Sequence, residues 1–342
     1  MTSNKRAFII AEAGVNHNGD LTLAKELISA AAEAGADCVK FQSFRTEELV
    51  SLDAPKANYQ ILNTGRNDSQ YEMLKKLELS RHDHLSLIET CRKSDIKFLS
   101  SPFSATDLTM LLDLQIRKIK IPSGELTNYP LLRKAGSSNL PILLSTGMGT
   151  LGEIEQALDL LSSQTEKVLD VTLLHCTSEY PAPYDQVNLR AMQTLADTFG
   201  LPVGLSDHSE GNVVAIAAVA LGACVIEKHF TLDRNLPGPD HKASLEPSAL
   251  QDLVRAIRQV ESSLGSAQKR PTVAERCNQN VVRKSLYVKT PIKKGETLRE
   301  ENLQALRPEA GISPMEWEKF LGRAVRQDLE SGHLLDWTDL AN

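Results

Sequence analysis

No stretch of this 342-residue chain comes near the ~20 consecutive apolar residues that a membrane-crossing helix requires. The opening string MTSNKRAFIIAEAG meets Glu12 and Asn16 too soon to hold a secretory apolar core, and no small-residue cleavage site follows. Basic clusters and basic tails are missing too. With a net charge of −6, this argues against a nucleic-acid partner but leaves room for positive charge inside a pocket. The five cysteines (Cys38, Cys91, Cys176, Cys224, Cys277) form no CxxC pair. Three lie in apolar, strand-like runs, as buried thiols do, so a reducing cytoplasm is the expected setting. The sequence shows neither low-complexity segments nor repeats beyond its strand–helix units.

What is present is the composition of a globular protein, 41% hydrophobic and 24% charged. Short β-rich runs at 8–11, 38–42, 97–101, 118–121, 142–145, 171–176, 203–206 and 224–229 alternate with amphipathic or alanine-rich stretches, the last at 247–264. Eight such units predict an α/β fold over residues 1–265, a (β/α)8 TIM barrel. A doubly wound open sheet is the alternative, because periodicity does not establish closure. One connection, 43–80, is unusually long and holds Asn58, Tyr59 and Asn63, which marks it as functional or ordered by a partner. Residues 266–280 are polar and read as a linker. The remainder, 281–342, reads as a small, mostly β domain that leans on another surface.

In a barrel the C-terminal strand ends face the active site. Here they carry Glu12, Lys40 and Gln42, Ser101, Lys120 and Ser123, Ser145, His175 with Ser178 and Tyr180, Ser206 with Asp207 and His208, and Glu227, Lys228 and His229. His208 and His229 end neighbouring strands, ~5 Å apart in backbone terms, and are candidates to share a metal; histidines bonded to Asp207 and Glu227 without metal are the alternative. Lys40 and Lys120 interrupt apolar strands, where a lysine is rarely buried without an anionic partner. With Ser101, Ser123, Ser145 and Ser206 they suit a phosphate or carboxylate cradle. Lys40, Lys120 and Lys228 are equally candidates for an imine-forming aldolase. Glu12, Glu227 and Asp240 are candidates for sugar binding or proton transfer. His82, His84 and His333 read as surface histidines.

The strings FIIAEAGVNHNGD, DCVKFQSF, FLSSPFS, KIKIPSGE, LSTGM, LLHCTSEYPAP, GLSDHSEG and VIEKHFTLDRNLPGPDHKASLEP resemble the sialic-acid synthase family, which includes N-acetylneuraminate and legionaminate synthases. The tail, with KTPIKKGETL and LRPEAGISPMEW, is similar to that family's antifreeze-like (SAF) domain. The resemblance implies a domain-swapped homodimer in which each SAF domain caps the partner's site. It implies a divalent metal at His208 and His229, manganese first, with magnesium or cobalt as alternatives. It assigns phosphoenolpyruvate to Lys40, Ser101, Lys120, Ser123, Ser145, Ser178 and Ser206. The sugar would fall to Glu12, Gln42, Tyr180, Glu227 and Asp240, with Arg307 supplied by the other subunit, and Glu12 or Glu227 would move a proton. The implied reaction condenses phosphoenolpyruvate, water and N-acetylmannosamine to N-acetylneuraminate and phosphate. The alternative substrate is 2,4-diacetamido-2,4,6-trideoxymannose, giving N,N'-diacetyllegionaminate. A catalytically silent carbohydrate-binding protein is the reading from another class. Two departures stand out: Ser178 follows Cys176-Thr177 where N-acetylneuraminate synthases often carry asparagine, and Glu309-Ala310-Gly311 replaces a PGxG turn, leaving the sugar open.

Overall fold

The structure is a computed structural model that describes residues 6–65, 68–168 and 170–341. Its eight parallel strands are β1 (Phe8–Gly14), β2 (Cys38–Ser43), β3 (Lys97–Pro102), β4 (Ile119–Ile121), β5 (Ile142–Ser145), β6 (Val171–Cys176), β7 (Val203–Asp207) and β8 (Val225–His229). They form one sheet in the order β3-β2-β1-β8-β7-β6-β5-β4. The first strand therefore pairs with both the second and the eighth, and the two ends of the order, β3 and β4, pack against each other. The sheet is a near-closed barrel, not the open alternative.

Side-chain parity along the strands builds two cores. Outward residues such as Ile9, Val39, Phe41, Ile121, Leu144 and Leu173 meet the surrounding helices α1 (Leu21–Glu33), α5 (Arg81–Lys93), α6 (Ala105–Asp113), α7 (Tyr129–Ser137), α8 (Leu151–Ser162), α9 (Ala191–Phe199), α10 (Val213–Ala220) and α11 (Pro247–Leu264). Inward residues Ile10, Cys38, Leu99, Leu143, Leu174 and Val225 form a separate plug. At the matching inward position of β7 stands Gly204, where a Cβ would lie 2.5 Å from the Val225 carbonyl and 2.7 Å from Leu174. Arg258 of α11 closes the lower rim, bonding the Ala7 carbonyl at 2.9 Å and Asp37 at 2.7 Å.

Local sequence starts most of these helices. Asp20 caps α1, and capping boxes at Ser80/Asp83 and Thr150/Glu153 open α5 and α8 by satisfying orphan backbone donors. The long connection after β2 folds into three short helices, α2 (Thr46–Leu49), α3 (Asn58–Thr64) and α4 (Gln70–Lys75). Buried Lys56 staples them, donating to Thr64 Oγ1 at 3.0 Å and pairing with Asp68.

The chain divides at Gly265/Ser266 into two compact units. The second begins with α12 (Val273–Val282), so part of the stretch read as a linker is helical. Its signal is legible: Pro271 is followed by Thr272-Val-Ala-Glu275, a capping box. Beyond it, β9 (Ser285–Val288) runs antiparallel to β10 (Leu303–Leu306), with a one-turn helix α13 (Trp317–Phe320) and a core of its own around Leu286, Val288, Ile292 and Phe320. Among the described residues no helix is long and apolar enough to cross a membrane.

Candidate active site

The inward side chains above the plug are charged and polar where those below are aliphatic. Lys40 and Lys120 are only 3% and 2% exposed. Lys40 Nζ lies 2.5 Å from Glu12 Oε2, donates to Ser101 Oγ at 3.0 Å, and sits 3.7 Å from Glu227 Oε2. Lys120 Nζ donates to Ser145 Oγ at 2.8 Å and lies 3.3 Å from Glu227 Oε1, which also accepts from Ser206 Oγ at 2.8 Å. Gln42 Nε2 donates to Glu12 Oε1 at 3.4 Å. Seven strands thus contribute to one charged network.

The network pushes its two carboxylates apart. Burial raises Glu12 to about 7, despite the opposing pull of Lys40, and the Glu227 charge adds to the rise. Burial also acts on Glu227, but Lys120 and Lys40 together outweigh it and hold that carboxyl at about 2. Unequal carboxylates in one pocket mark different proton roles.

A cavity of roughly 370 Å³ opens over this network. Fourteen of the residues singled out from the barrel sequence line it: Glu12, Lys40, Gln42, Ser101, Lys120, Ser123, Ser145, Ser178, Tyr180, Ser206, His208, Glu227, His229 and Asp240. Ser123 Oγ accepts from the Gly147 amide at 3.1 Å. A Cβ on Gly147 would stand 2.4 Å from Ser178 Oγ and 2.7 Å from Ser123 Oγ, so glycine alone lets these hydroxyls converge. Tyr180 stacks on His208 with ring centroids 4.2 Å apart, and the two histidine rings are 5.5 Å apart. Burial pushes Asp240 up to about 6.

Two imidazoles at this spacing can share one cation. His208 Nδ1 lies 2.8 Å from the Thr177 carbonyl and must donate to it, which leaves Nε2 as the free lone pair. Burial and the neighbouring His208 keep His229 neutral, well below the ordinary range, and its buried Nδ1 has no hydrogen-bond partner among the described residues. His229 therefore fits a cation as a neutral donor, whereas His208, raised against its burial by Cys176, the Thr177 carbonyl and Glu227, would give up a proton to bind one through Nε2. Among the described residues no group of three or more His, Cys, Asp or Glu side chains converges as a metal site.

Parity removes three residues from the strand-end list. Asp207 and Lys228 face outward, paired at 2.7 Å, and His175 turns its Nε2 to the Val187 carbonyl at 2.7 Å. Residues adjacent in a strand do not share a face. His84 is not a surface histidine: it is fully buried, its Nε2 2.6 Å from Ser43 Oγ. Arg307 belongs to the second unit, where it is exposed just after β10. Sequence reasoning also missed Cys176, read as an inert thiol. It lines the cavity, and although burial raises it, His208, Ser123 and Lys120 bring it down to about 7. The insertion contributes Leu49, Val50, Tyr59, Gln60, Met73 and Leu74 to the cavity wall; only its length and Tyr59 hinted at this.

Comparison with known proteins agrees with this geometry. The NeuB family matches residues 27–269 and the SAF domain residues 283–341. The chain is 52% identical over 331 residues to the N,N'-diacetyllegionaminic acid synthase of Campylobacter jejuni, covering 97% of this chain and 99% of that one. Identity to the enzyme of the same name from Legionella pneumophila is 48% over 337 residues, covering 98% and 95%. Among solved structures, the N-acetylneuraminic acid (sialic acid) synthetase of Leptospira borgpetersenii matches with a TM-score of 0.71 and 36% identity, over 81% of this chain and 91% of that one. Barrel, charged mouth and relatives together define a synthase that condenses phosphoenolpyruvate with a sugar. The chain belongs to the NeuB family and carries that family's β-rich SAF domain at its C-terminus.

Proposed function

We propose that this enzyme joins phosphoenolpyruvate to 2,4-diacetamido-2,4,6-trideoxymannose, releasing N,N'-diacetyllegionaminate and phosphate. The observation that carries this reading is the 52% and 48% identity to two legionaminic acid synthases across nearly the whole chain, against 36% to the sialic acid synthetase. N-acetylmannosamine, the first expectation from the sequence, gives way to the alternative named beside it.

In the proposed reaction, the methylene carbon of phosphoenolpyruvate bonds to the sugar's aldehyde carbon. Water adds at the former enol carbon, and the carbon–oxygen bond to phosphate breaks. Lys40 and Lys120, with Ser101, Ser123, Ser145, Ser178 and Ser206, hold the phosphate and carboxylate; Lys40 turns from Glu12 to the incoming anion. Glu12, held near neutral pH, carries the proton, while Glu227 stays ionised and keeps both ammonium groups in place. Gln42, Tyr180 and Asp240 orient the sugar. A divalent cation held by His208 and His229, manganese first, would supply Lewis-acid polarisation of a carbonyl. Arg307 reaches the sugar from the partner's SAF domain in a cytoplasmic homodimer. Imine chemistry is disfavoured at two of the three candidate lysines: Lys228 faces away, and Glu12 and Glu227 keep Lys40 protonated against its burial, whereas burial lowers Lys120.

The test is phosphate release with manganese and phosphoenolpyruvate, comparing the two sugars. Preference for the trideoxy sugar is expected; preference for N-acetylmannosamine would overturn the substrate assignment. The metal pair has its own readout. Manganese titration followed by electron paramagnetic resonance is expected to show one site per chain that His229→Ala weakens at least tenfold. Equal binding by the variant would remove His229 from the ligand set.

A further inference from the structure

The cavity has two chemically different sides. Its floor is the charged network at the strand ends. Its outer wall is apolar, built by Leu49, Val50, Met73 and Leu74 of the insertion with Val15 and Phe103. We propose that this wall is the sugar-selecting surface of the enzyme, seating the methyl carbon and N-acyl methyl of a 2,4-diacetamido-2,4,6-trideoxyhexose and disfavouring a sugar with hydroxyls at those positions. The inference rests on the substrate class proposed above and adds the residues that read it.

Three observations carry it. First, the wall adjoins the groups proposed to hold the sugar: Tyr59 of α3 packs on Tyr180 with centroids 4.9 Å apart, and Asn63 Nδ2 donates to the Pro239 carbonyl at 2.6 Å, beside Asp240. Second, polar atoms within the wall are already engaged. Gln60 Oε1 accepts from the Ala57 amide at 3.0 Å and from Gln70 Nε2 at 3.4 Å. A sugar hydroxyl pressed here would give up water without a replacement partner. Third, the wall is fixed in place. Besides the Lys56 staple, the Thr46 amide donates to Glu78 Oε1 at 2.7 Å, and Met73 and Leu74 are buried against Phe44 and Leu77.

Replacing the ring's hydroxymethyl by methyl, and a hydroxyl by acetamido, converts the facing edge from hydrogen-bonding to largely apolar. Apolar pockets discriminate modestly against an added hydroxyl, on the order of 100-fold, because they reject it only by desolvation. The enzyme's preference in kcat/KM is expected on that scale.

The experiment measures kcat/KM for both sugars, and KM for phosphoenolpyruvate, in the full-length enzyme, Val50→Thr and Leu49→Asn. Val50→Thr keeps the shape and adds a hydroxyl; Leu49→Asn keeps the approximate shape and adds a carboxamide at a second half-buried position, so a folding failure of one leaves the other. The ratio favouring the trideoxy sugar is expected to fall roughly tenfold in each, with KM for phosphoenolpyruvate within about twofold. An unchanged ratio in active variants would overturn the wall's role, whichever sugar the parent prefers. The parent's own ratio reports separately on the substrate class: a preference for N-acetylmannosamine sinks that assignment, while a shifted ratio in the variants would still support the wall.

Discussion

Glu227 and Lys228 are consecutive and both buried at the top of β8; Glu227 pairs across the barrel with Lys40 of β2 and Lys120 of β4, Lys228 with Asp207 of the neighbouring β7. Their fates differ because one faces into the barrel and the other out. Lys228 donates to Asp207 Oδ2 at 2.7 Å and to the Ser209 carbonyl at 2.5 Å, while Asp207 Oδ1 accepts from the Ser209 amide and hydroxyl. Every group there is satisfied within the protein. Glu227 Oε2, by contrast, has no hydrogen-bond partner among the described residues, and its ammonium neighbour Lys40 is 3.7 Å away. The outward pair is complete. The inward network is left with bonding capacity that a ligand can fill, and that incompleteness is what makes it a site.

Opposite substitutions break this comparison most sharply. Lys120→Met removes an inward cation that the proposed chemistry needs, so kcat/KM for phosphoenolpyruvate is expected to fall about 1,000-fold. Glu227 would keep Lys40 and Ser206 nearby, so the loss of stability should stay below about 2 kcal/mol. Lys228→Met is expected to behave in reverse: it strands Asp207 and removes about 3–5 kcal/mol of stability, with turnover of the folded fraction nearly intact. Adding Asp207→Asn to that variant should recover part of the loss, because it removes the stranded charge and keeps an acceptor for the Ser209 amide and hydroxyl. Denaturant unfolding beside steady-state kinetics separates these outcomes. A Lys228→Met enzyme that stays stable and loses turnover would erase the distinction between the two faces.

A smaller effect sharpens the inward side. Glu12 is raised from 4.5 to about 7 by burial, so the folded protein holds that proton more tightly than the unfolded chain does. The associated stability is fully present below pH ~4.5 and is lost as pH rises through about 7. Glu12→Gln mimics the protonated form. It should lie close to the parent near pH 5 and exceed it by about 2–3 kcal/mol near pH 8, the linkage value of a rise of that size. Urea midpoints across that range check it; a constant difference between the two proteins would mean Glu12 titrates at its ordinary value.

The same parity explains what could be read in advance. Strand positions were legible because each is a short apolar run interrupted by residues that apolar strands rarely carry, as Lys40 in CVKFQ and Glu227 in VIEKH do. Two-residue alternation, applied strictly, would also have sent His175, Asp207 and Lys228 outward. Other features were out of reach of any local pattern. Leu49, Val50, Met73 and Leu74 join the cavity because a 38-residue connection folds back over the barrel mouth, and nothing in its periodicity fixes where it returns. His84 reads as a polar helix residue until β2 and β3 supply the hydroxyls that bury it.

Those hydroxyls yield the finest version of the comparison. Ser100 and Ser101 are neighbours in β3, both buried. Behind the barrel, His84 Nδ1 lies 2.8 Å from the Ser80 carbonyl, which can only accept, so burial leaves a neutral ring with Nδ1 as donor and Nε2 as acceptor. Ser43 Oγ, 2.6 Å from that Nε2, must then donate to it, and Ser100 Oγ, 2.6 Å from Ser43 Oγ, must donate in turn. The chain from Ser100 to Ser80 is directional and complete. Ser101 points the other way, accepting from Lys40. Ser100→Ala should therefore lower stability by about 1 kcal/mol and leave kcat/KM within about twofold, because the ladder pairing Gln42 with Ser101 still holds the strands in register. Ser101→Ala should leave stability nearly unchanged and lower kcat/KM for phosphoenolpyruvate roughly tenfold, the worth of one hydrogen bond around a charged group. If the two variants exchanged these behaviours, the inward face of β3 would not be the face that meets substrate. If both lost only stability, Ser101 would serve to hold Lys40 in place without touching the anion.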